Sequence, residues 1–110
     1  MEKATSIKQV FDAMPEQFNV DAASGVDAVF QFDLTGDDGG KYWVKVQDQQ
    51  LSIEEGEHDN PSITIISSAD DYLKLANGDI NAMNAFMQGK VKVKGNMGLA
   101  MKLQSMFGLG

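Results

Sequence analysis

Between residues 28 and 53, apolar and polar side chains alternate through three short segments separated by turns of only a few residues. Nothing else in the chain limits its fold so tightly. Ala28 to Leu34 places Phe30, Phe32 and Leu34 on one side and Val29, Gln31 and Asp33 on the other. Tyr42 to Gln47 sets Tyr42, Val44 and Val46 against Trp43, Lys45 and Gln47, and Leu51 and Ile53 mark a third strand. A period of two is the signature of a pleated strand with one buried face. The connections, at residues 35–40 and near Asp48, are too short for a crossover helix, so these strands form an antiparallel meander.

The rest of the chain surrounds that meander with helices. The spacing of Ile7, Val10, Phe11 and Met14 predicts a first helix from about Ser6 through Met14. Pro15 should interrupt it or open a second turn carrying Phe18, and residues 22–27 read as a loop. A polar loop over residues 54–61 leads to a fourth strand near Ser62 to Ile66. Ser68 with Asp71 resembles a capping box for a helix carrying Tyr72, Leu73 and Leu75, which Gly78 can close. Asn81 caps a short helix holding Met83, Phe86 and Met87, ended by Gly89. Lys90 to Lys94 alternates strictly as a fifth strand, and after Gly95 and Asn96 the last helix runs from Met97 to Phe107. The expected fold is α+β, a five-stranded, mainly antiparallel sheet covered on one face by helices. A chain of 110 residues is read as one domain, residues 1–110.

Composition narrows the function classes. The net charge is −7 and there is no arginine, so sequence-specific nucleic-acid binding is not expected. The N-terminus lacks a secretory core, no apolar run approaches the roughly 20 residues of a membrane span, and Ser105 to Gly110 is no peroxisomal signal. A cytoplasmic protein is expected. Cysteine is absent and His58 is the only histidine, so a zinc site cannot be completed and no metal is expected. Asp37-Asp38 lacks the ligand pattern of a calcium loop and suits a hairpin turn. With no nucleophile, base and orienting group in prospect, no catalytic residues, no cofactor and no enzyme activity are expected.

The C-terminal third carries more information. Five of the seven methionines lie between residues 83 and 106. The last helix is apolar nearly all round, through Met97, Leu99, Ala100, Met101, Leu103, Met106 and Phe107, where an ordinary surface helix has one apolar stripe. That surplus either fills an awkward core or meets a bound apolar molecule, a membrane or another chain. Methionine suits surfaces that accept varied apolar shapes.

The continuous segment from Phe86 to Gln104 closely resembles the signature region of sterol carrier protein type 2 domains. Its parts are Phe86, the Gln88-Gly89 pair, the lysine strand, Gly95-Asn96-Met97 and the amphipathic helix. Trp43-Val44 and the stretch Ser68 to Tyr72 are similar to family positions upstream, and Ala82 departs from a proline the family often places there. The resemblance implies an apolar tunnel between sheet and helices for sterols, fatty acids, acyl-CoA esters or similar lipids. It also implies a carrier with an apolar lipid as its partner. An alternative is an accessory interaction module that presents lipid or isoprenoid quinone intermediates to partner enzymes, and similar domains also occur attached to larger enzymes.

The expected cavity wall comprises Phe30, Phe32, Trp43, Val44, Phe86, Met87, Met97, Met101 and Leu103. Trp43 and Val44 point to opposite faces of one strand, so both cannot line it through the sheet face; Val44 ranks higher on alternation, and Trp43 is kept on the resemblance. Lys90, Lys92 and Lys94 share one face of the fifth strand, and Lys102 follows on the last helix. These lysines either contact an anionic membrane or headgroup transiently, or protect an edge strand from pairing with another chain.

Overall fold

The computed structural model describes residues 4–107. Helix α1 spans Ile7–Gln17. Strands β1 (Ala28–Thr35), β2 (Gly40–Gln47), β3 (Gln50–Glu55) and β4 (Ile63–Ser68) follow. Helices α2 (Ala69–Ala76) and α3 (Ala82–Met87), strand β5 (Val91–Gly95) and helix α4 (Met97–Phe107) complete the order. The strands form one sheet in the order β3-β2-β1-β4-β5.

Local sequence explains most of these boundaries. Ser6 Oγ accepts from the Gln9 backbone N–H at 3.3 Å at the start of α1. Ser68 Oγ accepts from Asp71 N–H at 3.1 Å at the start of α2. Asn81 Oδ1 serves Met83 and Asn84 ahead of α3, and Asn96 Oδ1 serves Gly98 in α4. Each cap satisfies donors that the first helical turn leaves free. The β2–β3 hairpin turns on Asp48 and Gln49, both with positive φ, the two-residue geometry that matches the twist of the strands.

One feature departs from the sequence expectation, and a second is a pairing that the sequence leaves open. Pro15 does not end α1, which continues to Gln17; proline removes one backbone bond near the helix end, while buried Ile7, Val10, Phe11 and Met14 hold the segment in place. The meander is antiparallel as expected, with β1 paired to β2 and β2 to β3. However, β4 crosses to the far side of β1 and pairs with it in parallel, and β5 then pairs antiparallel with β4 at the sheet edge.

Register sorts the two faces. Tyr42, Phe32, Ile65 and Val93 are aligned across four strands and face the helices: Phe11 of α1 stacks on Tyr42 at 4.2 Å and meets Phe32 edge-on at 5.3 Å. Trp43, Gln31, Thr64 and Lys94 form the adjoining row on the opposite face. That face is also covered in part. The loop after β3 folds back so that the His58 ring lies 5.0 Å from Trp43 and its backbone N–H donates to Gln31 Oε1 at 2.8 Å.

Candidate functional site

Core filling is uneven along the helix-facing side of the sheet. Over β1 and β2 it is dense: Phe30, Phe32 and Val44 are fully buried, and Phe11 of α1 packs on Phe32 and Tyr42. Toward β4 and β5 the helices stand off. A cavity of about 250 Å³ opens there, larger than the roughly 150 Å³ apolar void that suffices for a benzene-sized guest. Ile65, Val91 and Val93 form its floor, Tyr72 and Leu75 of α2 one side, Met83 and Phe86 of α3 another, and Met97, Ala100, Met101 and Leu103 of α4 a third.

The rim reaches solvent. Met83, Phe86, Met97 and Met101 are all exposed while lining the cavity. Large apolar side chains left in water beside an apolar void mark a binding surface. What lies between helices and sheet is therefore a cavity with an exposed rim; a closed tunnel is not shown.

Of the wall residues expected from sequence, Phe86, Met97, Met101 and Leu103 meet at this cavity. Phe30, Phe32 and Val44 lie in the packed core instead; above Phe32 the sheet face is filled by Phe11 of α1. Trp43 occupies the opposite face against His58, so alternation, not resemblance, places it. Met87 is 76% exposed and outside the cavity lining. The floor and α2 side were not singled out, although the pattern contained a signal. If Lys92 and Lys94 face outward, Val91 and Val93 must face the helices, and Met83 lies three residues before Phe86 on one helical face.

Electrostatically the wall is bare, with no charged side chain among the described residues that line it. Its main polar atom of note is the Tyr72 hydroxyl, which is buried and has no hydrogen-bond partner among the described residues. Burial alone pushes its acidity well below that of an ordinary phenol, so it remains a neutral O–H. Among the described residues no three His, Asp or Glu side chains gather as a metal site would require. Nor is any described helix long and apolar enough to cross a membrane.

A mixed sheet with helices on one face and an apolar, open-rimmed cavity between them defines a lipid-binding class of module. The chain belongs to the SCP-2 sterol transfer family, which matches residues 7–108, as the segment from Phe86 to Gln104 implied. It is similar to Sterol carrier protein 2 of Rattus norvegicus, 34% identical over 107 residues that cover 94% of this chain and 20% of that protein. It is also similar to Hydroxysteroid dehydrogenase-like protein 2 of Bos taurus, 32% identical over 105 residues covering 94% of this chain and 25% of that protein. The chain thus spans about a quarter of the length of that relative. Among solved structures it resembles that of palmitated SCP2L2 from Aedes aegypti, with a TM-score of 0.75, 24% identity, and coverage of 94% of this chain and 95% of that one. Lipid binding and transfer, in general terms, is the activity this membership supports.

Proposed function

We propose that the chain is a non-catalytic carrier, working in the cytoplasm, that takes up a sterol, fatty acid, acyl-CoA ester or similar lipid in the cavity bounded by β4, β5, α3 and α4. The observation that carries this reading is the charge-free wall ending in an exposed apolar rim. Burying a methylene there is worth about 0.8 kcal/mol. A long chain therefore binds without directional contacts, and ligands differing by one methylene are separated by only about 1–3 kcal/mol. Broad acceptance is the physical consequence.

The test is native mass spectrometry and organic extraction of the purified protein, followed by titration with a fluorescent fatty acid. Co-purified lipid or saturable uptake of the probe is expected. Replacing Met97 and Met101 together with glutamine should weaken uptake about tenfold, since apolar rim contacts are removed, with a stability change within about 0.5 kcal/mol because both side chains are exposed. A folded protein that neither retains nor takes up lipid would sink the reading. A second reading draws on Met87, which is exposed outside the cavity: the α3 surface seats on a partner enzyme and presents the lipid to it. A stable co-purifying enzyme, lost on Met87→Lys, would favour that role.

A further inference from the structure

The methionines of residues 4–107 fall into three environments. Met14 and Met106 are sealed in the core, at 2% and 0% exposure. Met83, Met97 and Met101 line the cavity, yet stand 46–65% exposed. Met87 is exposed outside the lining. Met97 and Met101 are four residues apart in α4 and share one face of it, and Met83 reaches the same cavity from α3. Leucine would make this rim equally apolar, but a thioether adds chemistry that leucine lacks. An accessible thioether undergoes two-electron oxidation, which turns a flexible apolar side chain into a polar one. The cavity has nothing to receive the added oxygen. Among the described residues that line it, only Tyr72 carries a polar side-chain group, and its hydroxyl is buried. A sulfoxide turned inward is a polar group without a partner, which is costly. A sulfoxide turned out to water withdraws its apolar contact from the ligand. Either orientation weakens the hold on a lipid.

We propose that Met83, Met97 and Met101 are modification sites through which hydrogen peroxide controls lipid release: oxidation of the rim to sulfoxides lowers lipid affinity, and bound lipid, by covering the same side chains, protects them. The inference rests on the lipid-binding reading above. In the chemical step the methionine sulfur attacks one peroxide oxygen, the S–O bond forms and the O–O bond breaks. Sulfur gives up two electrons, and the departing hydroxide takes the proton of the transferred oxygen and leaves as water. The step needs access and no catalytic group, so the fold alone decides which methionines react. Met14 and Met106 are shielded by the core. Met87 is open to the oxidant but has no part in the cavity wall, so its oxidation carries no consequence for lipid affinity. That partition separates a device at the rim from general oxidative damage.

The test treats the purified protein with dilute hydrogen peroxide, with and without saturating palmitic acid, and follows oxygen addition at each methionine by peptide mass mapping. Without lipid, Met83, Met87, Met97 and Met101 are expected to oxidise about tenfold faster than Met14 and Met106. With palmitic acid, the lining methionines should slow about fivefold while Met87 keeps its rate. Protein oxidised at the rim, with Met14 and Met106 intact, should bind a fluorescent fatty acid about tenfold more weakly, and methionine sulfoxide reductases A and B together should restore binding. Unchanged affinity after rim oxidation overturns the inference while leaving lipid binding intact. So do lining methionines whose rates ignore palmitic acid in a protein that binds it. A loss of binding that appears only once Met14 or Met106 is modified reports unfolding, and it also overturns the proposal. Combining Met83→Leu, Met97→Leu and Met101→Leu assigns the effect: this variant should bind the probe alike before and after peroxide, and a drop equal to that of the wild type overturns the assignment. Failure of the untreated wild type to bind the probe overturns the carrier reading and the inference with it.

Discussion

Gln31 is a polar residue serving as a structural joint in the sheet. Its Nε2 donates to the carbonyls of Tyr42 and Gly56 at 3.2 and 3.0 Å, and its Oε1 accepts from His58 N–H, so one side chain ties β1, β2 and the loop after β3 together. Replacing it with leucine fits the buried volume but strands those backbone partners. Gln31→Leu should cost about 2 kcal/mol of stability in urea unfolding, with lipid affinity within twofold of wild type because the joint lies on the face away from the cavity. A stability change below about 0.5 kcal/mol would show that water replaces the amide freely. Alternation placed Gln31 and Trp43 correctly on the face opposite Phe32 and Val44. What it could not supply is their burial, which depends on where a loop 25 residues downstream of Gln31 lands. For the same reason Phe30, Phe32 and Val44 were legible as inward-facing but not as core: whether inward means packed or cavity-facing depends on which helix covers that part of the sheet.

Helix α4 combines two surfaces in one element, which accounts for its surplus of apolar residues. Leu103, Met106 and Phe107 are buried; the Phe107 ring lies 5.6 Å from Phe18, and the carbonyl of Met106 accepts from Asn19 N–H at 2.7 Å. The N-terminal half instead presents exposed Met97 and Met101 to the cavity. A terminal helix set between two glycines, Gly95 and Gly108, is from its sequence a candidate lid. Gly108 lies outside the described residues, and Gly95 is no free hinge: at φ +110° it pairs with Ile63, and a Cβ there would sit 2.8 Å from the Ser62 carbonyl oxygen. Opening is therefore expected to be local fraying of residues 97–101 over an anchored C-terminal half. Amide exchange should be faster in residues 97–101 than in 103–107 without lipid, and should slow there on lipid binding. Equal protection of both halves in both states would exclude this helix as the gate. At this scale the sequence was most readable, because caps such as Ser68, Asn81 and Asn96 are local chemistry. The parallel pairing of β1 with β4 was not, since short turns report only on consecutive strands and this contact joins residues 33 positions apart.

Over the whole molecule, charge is divided along the chain. Residues 1–79 hold all sixteen acidic side chains and five lysines, a net −11, while residues 80–110 hold four lysines and no acid, a net +4. The fold sets much of that positive charge at one edge. β5 is the last strand of the sheet, Lys90, Lys92 and Lys94 are exposed there, and Lys102 is exposed on α4. Edge position alone justifies lysines, whose charge deters pairing with a second chain. Delivery of lipid to an anionic membrane would use the same groups, each contributing about 1 kcal/mol near such a surface. That local attraction must overcome the repulsion of a protein carrying −7 overall, and the balance depends on distance. At about 0.1 M salt the screening length is about 10 Å, so a bilayer touching the β5 edge feels the lysines there more strongly than any charge beyond that range. Changing Lys90, Lys92 and Lys94 together to glutamine is expected to slow lipid delivery to phosphatidylserine-containing vesicles several-fold at low salt. The loss should shrink as salt is raised, while affinity for an uncharged lipid in solution stays the same. Because edge protection is weakened too, monodispersity of the variant is checked by light scattering, and delivery is compared on neutral phosphatidylcholine vesicles, where wild type and variant should match. Equal delivery to anionic vesicles by both proteins at every salt concentration would confine these lysines to guarding the sheet edge.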